Sequence, residues 1–546
     1  MVNFSAASRE KRHRALKEQT FDLFIIGGGI TGAGIALDAA SRGLKVGLAE
    51  MQDFAAGTSS RSTKLVHGGL RYLKQFEMKE VAQLGRERAI VYENGPHVTT
   101  PVWMLLPFHK GGTFGAFSTS IGLKIYDLLA GVKKSERRFM LSADETIARE
   151  PLLKKENLLG GGMYVEYRTD DARLTIEVLK AAVANGAIAL NYLKVKGIQA
   201  NNLAFSKIEV QDQWTGENYI VKAKKVVNAA GPWVDEVRKF QQTDDEKHLT
   251  LSKGVHLVFD EMDFPLQQAI YFDTKEDGRM IFAIPRDGKT YVGTTDTFFD
   301  GDPLDLTVTL EERRYLIDAI HDMFPHLKLT LEKIESVWAG VRPLIHQEGK
   351  GPSEISRKDE IWQAESGLIT IAGGKLTGYR KMAEKIVDLV VKQLNQEFNK
   401  KFGQSITKHL PISGGDISGA TFFESFIEKR TIMGQQMGLS EEQSRYLAKY
   451  YGTNVDKVFA YVTQAKGDLP AIVYGQLYYA MNDESASAAT DFFIRRTGAL
   501  YFNIHLVEQF KGLVIEEMAR YLSWSNQEKQ QQIEWLEKAL KDVKIV

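Results

Sequence analysis

The residues best suited to chemistry are a set of glycines and one acid. Gly27, Gly28, Gly29, Ile30, Thr31 and Gly32 fit the pattern G-x-G-x-x-G, and Glu50 lies 23 residues after Gly27. Each part answers a demand made by a dinucleotide. The first glycine permits a tight turn, the second lets backbone approach a pyrophosphate, and the third lets a helix pack closely on a strand. A helix starting here offers free N–H groups and the positive end of its dipole to the phosphates. An acid at the end of the next strand accepts hydrogen bonds from ribose hydroxyls and favours a ribose without a 2′-phosphate. A ligand-free turn would account for the glycines but would leave Glu50 a coincidence.

These residues need a strand, a turn, a helix and a second strand to hold them. Positions 23–26 form a short continuous apolar run, the pattern of a strand buried on both faces. A helix is predicted over 33–42, closed by Gly43, and a second strand over 45–50. Ile26, before the turn, and Met51, after the acid, join the predicted cofactor contacts. The stretch 58–72 is rich in Ser, Thr and Gly without a strong period, so it reads as a loop. Thr58, Ser59, Ser62, Lys64 and Leu65 are candidates for the pyrophosphate and the chain beyond it, and Gly68 and Gly69 would let backbone approach a ring. An apolar strand over 225–230 ends in Ala230, Gly231 and Pro232. Another, over 368–372, ends in Gly373 and Gly374 and leads through Lys375, Leu376 and Thr377 into a helix predicted over 376–394. A second close backbone approach suits the far end of a long cofactor. Together with a glycine motif at the start of a long chain, it favours FAD over NAD.

Composition narrows the class further. The chain has 546 residues, two to four folding units at roughly 150 residues each. Hydrophobic residues make up 43%, enough for a large core. Lys+Arg and Asp+Glu are both 70, so the chain is not built as a polyanion binder and no nucleic-acid partner is expected. The absence of cysteine excludes disulfides, thiolate zinc sites, iron–sulfur clusters and cysteine nucleophiles; no metal-ligating set is identified. Strand patterns over 256–259, 269–272, 280–284 and 290–293, separated by turns, predict an antiparallel sheet beside the first unit. Helical patterns are read over 80–94 and 172–185, and beyond 412 they predict a separate helical domain.

Membrane and targeting signals are weak. The basic segment 1–20 carries Arg9, Lys11, Arg12, Arg14 and Lys17, and no apolar signal-peptide core follows it. A solvated helical tail is favoured there over a helix lying on a membrane. The uncharged stretch 23–37 holds five glycines and falls short of the roughly 20 residues a span needs, and 94–109 holds three prolines. Trp103, Met104, Leu105 and Leu106 are read as core, His256 as a strand residue near the site, and Arg495 and Arg496 as a solvated or inter-domain pair without chemistry.

One resemblance organises these signals. His67-Gly68-Gly69-Leu70-Arg71-Tyr72, Asn228-Ala229-Ala230-Gly231-Pro232-Trp233, Lys253-Gly254-Val255-His256, Gly293-Thr294-Thr295-Asp296, Gly340-Val341-Arg342-Pro343-Leu344, Ser356-Arg357 and Gly373-Gly374-Lys375-Leu376-Thr377-Gly378 occur in that order. The sequence resembles FAD-dependent, aerobic, quinone-linked glycerol-3-phosphate dehydrogenases over nearly its whole length. That resemblance implies an α/β fold: a glutathione-reductase-like, two-dinucleotide-binding FAD domain (21–80, 150–232 and 330–400) interleaved with a mixed, antiparallel-sheet substrate domain (81–149 and 233–329), then a helical C-terminal domain (410–546).

It also implies a reaction, oxidation of sn-glycerol 3-phosphate to dihydroxyacetone phosphate with electrons passed to a quinone. Arg71, Arg342 and Arg357 match positions lining the family's substrate pocket, and a phosphate dianion suits the planar guanidinium fork. Lys375 would place positive charge near the flavin or the substrate oxygen. His67 is the candidate base, since an unperturbed pKa of about 6.5 suits proton transfer near neutrality, with a purely structural role as its rival. Tyr72 would line the pocket. An oxidase passing electrons to oxygen is the near alternative, although only 14 residues separate Arg342 from Arg357, where oxidase relatives often carry a long insertion. An NAD-dependent dehydrogenase and a non-enzymatic flavin-binding scaffold are distant alternatives. A cytoplasmic location is expected; contact with the inner face of the cell membrane and self-association stay open.

Overall fold

The computed structural model describes residues 4–67, 78–112, 136–199, 205–241, 247–351, 355 and 358–544. Gly68, Gly69, Arg71, Tyr72 and Arg357 lie outside these described residues.

The apolar run near the start becomes the strand Thr20–Ile26, buried from Phe21 onward. It sits inside a largely parallel sheet, with Val46–Ala49 on one side and Asn218–Asn228 on the other. Ile188–Leu190 closes one edge, while Ile369–Gly373 and Asp359–Gln363 extend the other. Burial on both faces explains why the run does not alternate. Leu23 and Ile25 join a core with Ala33, Ile35, Leu179 and Ile386, from three helices: Ile30–Ser41, Asp171–Ala184 and Tyr379–Phe398. Phe24 and Ile26 face a ribbon formed by Leu193–Gln199 and Ser206–Asp212.

A second sheet holds the antiparallel set expected from the turn pattern. Its strands run in the order Thr297–Phe299, Leu249–Asp260, Lys289–Gly293, Met280–Arg286, Ala269–Asp273, Thr99–His109, Leu158–Thr169 and Leu65–Val66, and Ile334–Ile345 pairs with Leu249–Asp260. One pairing is parallel, Ala269 opposite Met104. Most of the uncharged stretch 94–109 is therefore sheet, the strand Thr99–His109, with Met104, Leu105 and Leu106 at most 1% exposed.

Of the segments expected in the FAD-binding unit, 21–80, 150–232 and 330–400, the strands Leu65–Val66, Leu158–Thr169 and Ile334–Ile345 run in the second sheet. Their hydrogen-bond partners decide this: Leu158–Thr169 pairs along Thr99–His109, and Ile334–Ile345 along Leu249–Asp260. One expectation needs correction: the basic N-terminal segment is not a solvated tail. In its helix Arg9–Glu18, Leu16 is fully buried and Arg12 is 1% exposed. Arg12 donates to the carbonyls of Ala189 and Ser5, and Arg9 to Asn191 O and Asp212. Ile188–Leu190 is an edge strand; Arg12 satisfies its Ala189 carbonyl, and Arg9 the Asn191 carbonyl just beyond its end. Lys11, Arg14 and Lys17 stay on the outer face.

Beyond 412 the described chain is helical, from Phe423–Gln436 to Asn526–Val543. Reciprocal capping boxes start two of these helices, Ser440 with Gln443 and Ser525 with Glu528. Leu477, Phe492 and Val507 share a core with Met104, Tyr291 and Trp338, so this domain packs on the second sheet. Among the described residues, no helix is long and apolar enough to cross a membrane, and none form a group of three or more His, Cys, Asp or Glu able to hold a metal.

Candidate active site

The glycine motif makes a cradle with no room for side chains. Gly27 turns the chain with φ of 108°, and a Cβ there would fall 2.5 Å from Ala229 O. A Cβ on Gly32 would fall 1.9 Å from Gly27 O, so the helix Ile30–Ser41 sits directly on the turn. Ser59 Oγ accepts from Ile30 N at 2.9 Å, which ties the 58–67 loop to the helix start. Glu50 reaches back to the motif: its oxygens accept from Gly28 N at 2.7 Å and Gln52 N at 2.8 Å. Burial pushes its carboxyl above the ordinary value, against the pull of those two N–H groups. Each carboxylate oxygen has a second lone pair, so two acceptor positions are left for a ribose.

From this cradle a cavity of about 720 Å³ runs between the two sheets. Ile26, Gly27, Gly29, Ile30, Thr31, Glu50 and Met51 line one end. Thr58, Ser59, Ser62, Leu65 and His67 form its side, with Ala230 and Gly231 opposite. Gly373, Gly374, Lys375, Leu376 and Thr377 close the far end beside Arg342. Both Gly373 and Gly374 have positive φ, and a Cβ on Gly374 would fall 2.3 Å from Met382 Sδ. Thr377 locks this turn to the loop, since its hydroxyl accepts from His67 N and donates to His67 O, both at 3.1 Å.

Lys64 does not serve the cavity. It is 3% exposed, and its ammonium donates to Asp171 Oδ1 at 2.6 Å and Ser60 O at 3.0 Å. Ser62 also donates to Asp171, at 2.7 Å from its hydroxyl. The loop is thus pinned to the first turn of the helix Asp171–Ala184, and Lys64 neutralises the carboxylate that pins it.

The far end gathers cations. Arg342 donates from Nη1 to Asp296 Oδ1 at 3.2 Å and from Nη2 to Thr294 Oγ1 at 3.1 Å. Its side chain is 21% exposed, toward the cavity. Asp296 also accepts from Ser252 and lies 3.6 Å from Arg279 Nη1. Arg279 lines the same cavity and was not singled out from sequence; it sits on the turn before Met280–Arg286, where an arginine reads as an ordinary surface residue.

Two imidazoles share this region. His67 meets Phe282 edge-on, with ring centroids 6.1 Å apart. His256 stacks on Trp338 at 4.6 Å, and its Nε2 lies 3.0 Å from Thr63 Oγ1. Burial first, then the positive charges of Arg342 and Lys64, hold His256 well below its ordinary pKa, so its ring is neutral.

This layout is matched in known proteins. Residues 22–380 match the sequence model of the family described as FAD dependent oxidoreductase, and residues 405–529 that described as C-terminal domain of alpha-glycerophosphate oxidase. A relative from Bacillus subtilis, named aerobic glycerol-3-phosphate dehydrogenase, is 59% identical over 99% of this chain and 98% of its own. The chain belongs to the aerobic glycerol-3-phosphate dehydrogenase family of FAD-dependent oxidoreductases. The solved glycerol-3-phosphate dehydrogenase of Bacillus halodurans, complexed with FAD, is 48% identical and superposes with a TM-score of 0.86 over 99% of this chain and 98% of its own. A glycerophosphate oxidase from Mycoplasma pneumoniae is 18% identical with a TM-score of 0.57, over 71% of this chain and 97% of its own, and shares the fold.

The residues present fit the family's cofactor. FAD needs a side-chain-free cradle for its pyrophosphate, an acid for its ribose and a second backbone approach for its ring. Gly27 and Gly29, Glu50, and Gly373 and Gly374 supply these along one continuous cavity.

Proposed function

We propose that this family member oxidises sn-glycerol 3-phosphate to dihydroxyacetone phosphate and passes the electrons to a quinone. The observation that carries the reading is one cavity joining the glycine cradle to His67, Lys375 and Arg342. When bound, FAD supplies the two-electron acceptor for the carbinol hydrogen. The chain's own residues do the rest. Arg342, steadied by Asp296 and Thr294, brings its positive charge to the substrate phosphate, and Arg279 adds a second guanidinium at the same carboxylate. His67 takes the hydroxyl proton, and Lys375 places positive charge beside the oxygen that becomes the carbonyl. Arg71, Tyr72 and Arg357 belong to this set by their motifs. Residues of both sheets line the cavity, and their partial withdrawal from bulk water strengthens each of these charge interactions.

The quinone assignment rests on the short interval between Arg342 and Arg357, and a membrane-held quinone goes with a cytoplasmic chain that meets the inner face of the cell membrane. A second reading has its own support: residues 405–529 match the C-terminal domain of an oxidase. Turnover with glycerol 3-phosphate under air, with peroxide measured and a soluble quinone added or withheld, separates the two. The dehydrogenase reading expects slow peroxide release and strong stimulation by quinone. Stoichiometric peroxide at a rate indifferent to quinone would overturn it.

A further inference from the structure

A second buried charge cluster lies behind the other end of the cavity, and it joins domains far apart in sequence. Arg495 and Arg496 sit on a π-helical turn, Asp491–Arg496, of the C-terminal domain. Arg496 grips Asp53 as a fork, Nη1 to Oδ2 at 2.7 Å and Nη2 to Oδ1 at 2.8 Å. Arg495 donates to Asp53 through Nε and to Asp491 Oδ1 through Nη2 at 2.8 Å. Asn191 Nδ2 completes the set on Asp53 at 3.1 Å. The side chains of Asp53, Asp491 and Arg496 are fully buried, so this is a neutral, saturated network of two arginines and two aspartates.

Asp53 occupies the middle of the 51–56 loop, which follows Glu50 and packs back on the glycine turn. In that loop Gln52 N donates to Glu50 Oε1, Ala55 N donates to Gly28 O at 3.1 Å, and Ala56 N donates to Asp53 O at 3.1 Å. Phe54 lies directly under Gly28, 2.7 Å from where a Cβ would stand. Backbone bonds also tie this stretch to the segment after Ile188–Leu190, where Gln52 O accepts from Tyr192 N and Glu50 O from Leu193 N, both at 2.7 Å. At Asp53 the C-terminal domain adds a second, side-chain anchor through Arg495 and Arg496.

We propose that Arg495 and Arg496 are positioning residues for the adenosine half of FAD, holding Asp53 so that the 51–56 loop keeps Glu50 aimed at the ribose. The helical domain thereby acts as a clamp on the cofactor in addition to packing on the second sheet. The inference rests on the family's cofactor and is independent of the substrate and acceptor assigned above.

The test compares two substitutions at this domain boundary in the full-length holoenzyme. Arg496→Lys keeps the charge and loses the fork. Glu484→Gln breaks a neighbouring buried cluster, the carboxylate's bonds to Arg173 and Lys180, while its main-chain carbonyl, which accepts from Arg496, stays in place. FAD release after dilution is followed by the fluorescence of the freed flavin, alongside thermal unfolding of each apoprotein and KM for glycerol 3-phosphate at saturating FAD. Arg496→Lys should release FAD at least roughly tenfold faster with KM within about twofold of the parent. Glu484→Gln should lower the unfolding temperature and leave FAD release within about twofold. Unchanged release in Arg496→Lys, or release that rises in both variants in step with lost stability, would overturn the inference. If Arg496→Lys does not accumulate as folded protein, Asp53→Asn carries the same comparison from the other side of the contact.

Discussion

Gly254 lies directly beneath the guanidinium of Arg342: a Cβ at position 254 would stand 2.5 Å from Arg342 Nη2 and 2.4 Å from Thr294 Oγ1. The missing side chain on the strand Leu249–Asp260 leaves room for Arg342 to lie against Asp296 and Thr294 where it lines the cavity. Gly254→Ala should therefore act as a displaced arginine would. One charge-assisted contact is worth about 1.5–3 kcal/mol, roughly ten- to hundred-fold in KM. Arg342→Ala should raise KM for glycerol 3-phosphate by that range, and Gly254→Ala by a part of it. Steady-state kinetics checks both; an unchanged KM in Arg342→Ala would remove Arg342 from the phosphate site.

His67→Asn should leave FAD bound, because the contacts tying position 67 to Thr377 are made by backbone atoms. If His67 is the base, flavin reduction followed by stopped flow should slow by about 10²–10⁴, the usual worth of a positioned base. Undiminished reduction would assign His67 a structural role.

Gly32→Ala should abolish cofactor loading. Its Cβ would fall 1.9 Å from Gly27 O, a main-chain atom that cannot rotate away, so either the helix Ile30–Ser41 or the turn must move. Absorbance at the flavin band of the purified protein measures the loss.

Stability should fall as the medium is acidified, and His97 gives the window. It is 8% exposed, and burial first pushes its pKa down to about 4, with Arg173 and Lys180 adding to the shift and Glu177 opposing it. Its neutral form is the folded form. Stability is therefore fully present above the unfolded value of about 6.5 and is lost as pH falls toward 4. The loss attributable to His97 between pH 7 and 5 is about 2 kcal/mol. Denaturant midpoints of the parent and of His97→Gln at these two pH values test this; the variant should show the smaller change.

How much of this was legible in sequence follows from how local each signal is. The cradle was legible because its turn, helix start and acid lie within one short unit whose glycine spacing has a single steric meaning. The far turn at Gly373 and Gly374 was legible for the same reason. Lys64 was misplaced because the acid that claims it, Asp171, is 107 residues away. The Arg495 and Arg496 pair could be suspected of bridging domains, but nothing near it in sequence points to Asp53, 442 residues from Arg495. The N-terminal helix read as solvated because its charges are visible in sequence and the carbonyls in and just beyond the edge strand that absorb Arg12 and Arg9 are not. Strand membership was not legible where a strand leaves the neighbourhood of its motif: Ile334–Ile345 follows the partner Leu249–Asp260, a relation that only register reveals. Arg279 was passed over because its meaning comes from sharing Asp296 with Arg342.

The most direct measurement is an anaerobic titration of the holoenzyme with glycerol 3-phosphate, followed at the flavin absorbance. The account predicts that the oxidised band bleaches as substrate is added and that dihydroxyacetone phosphate is recovered in proportion to the flavin reduced. A flavin band that persists under excess glycerol 3-phosphate would contradict it.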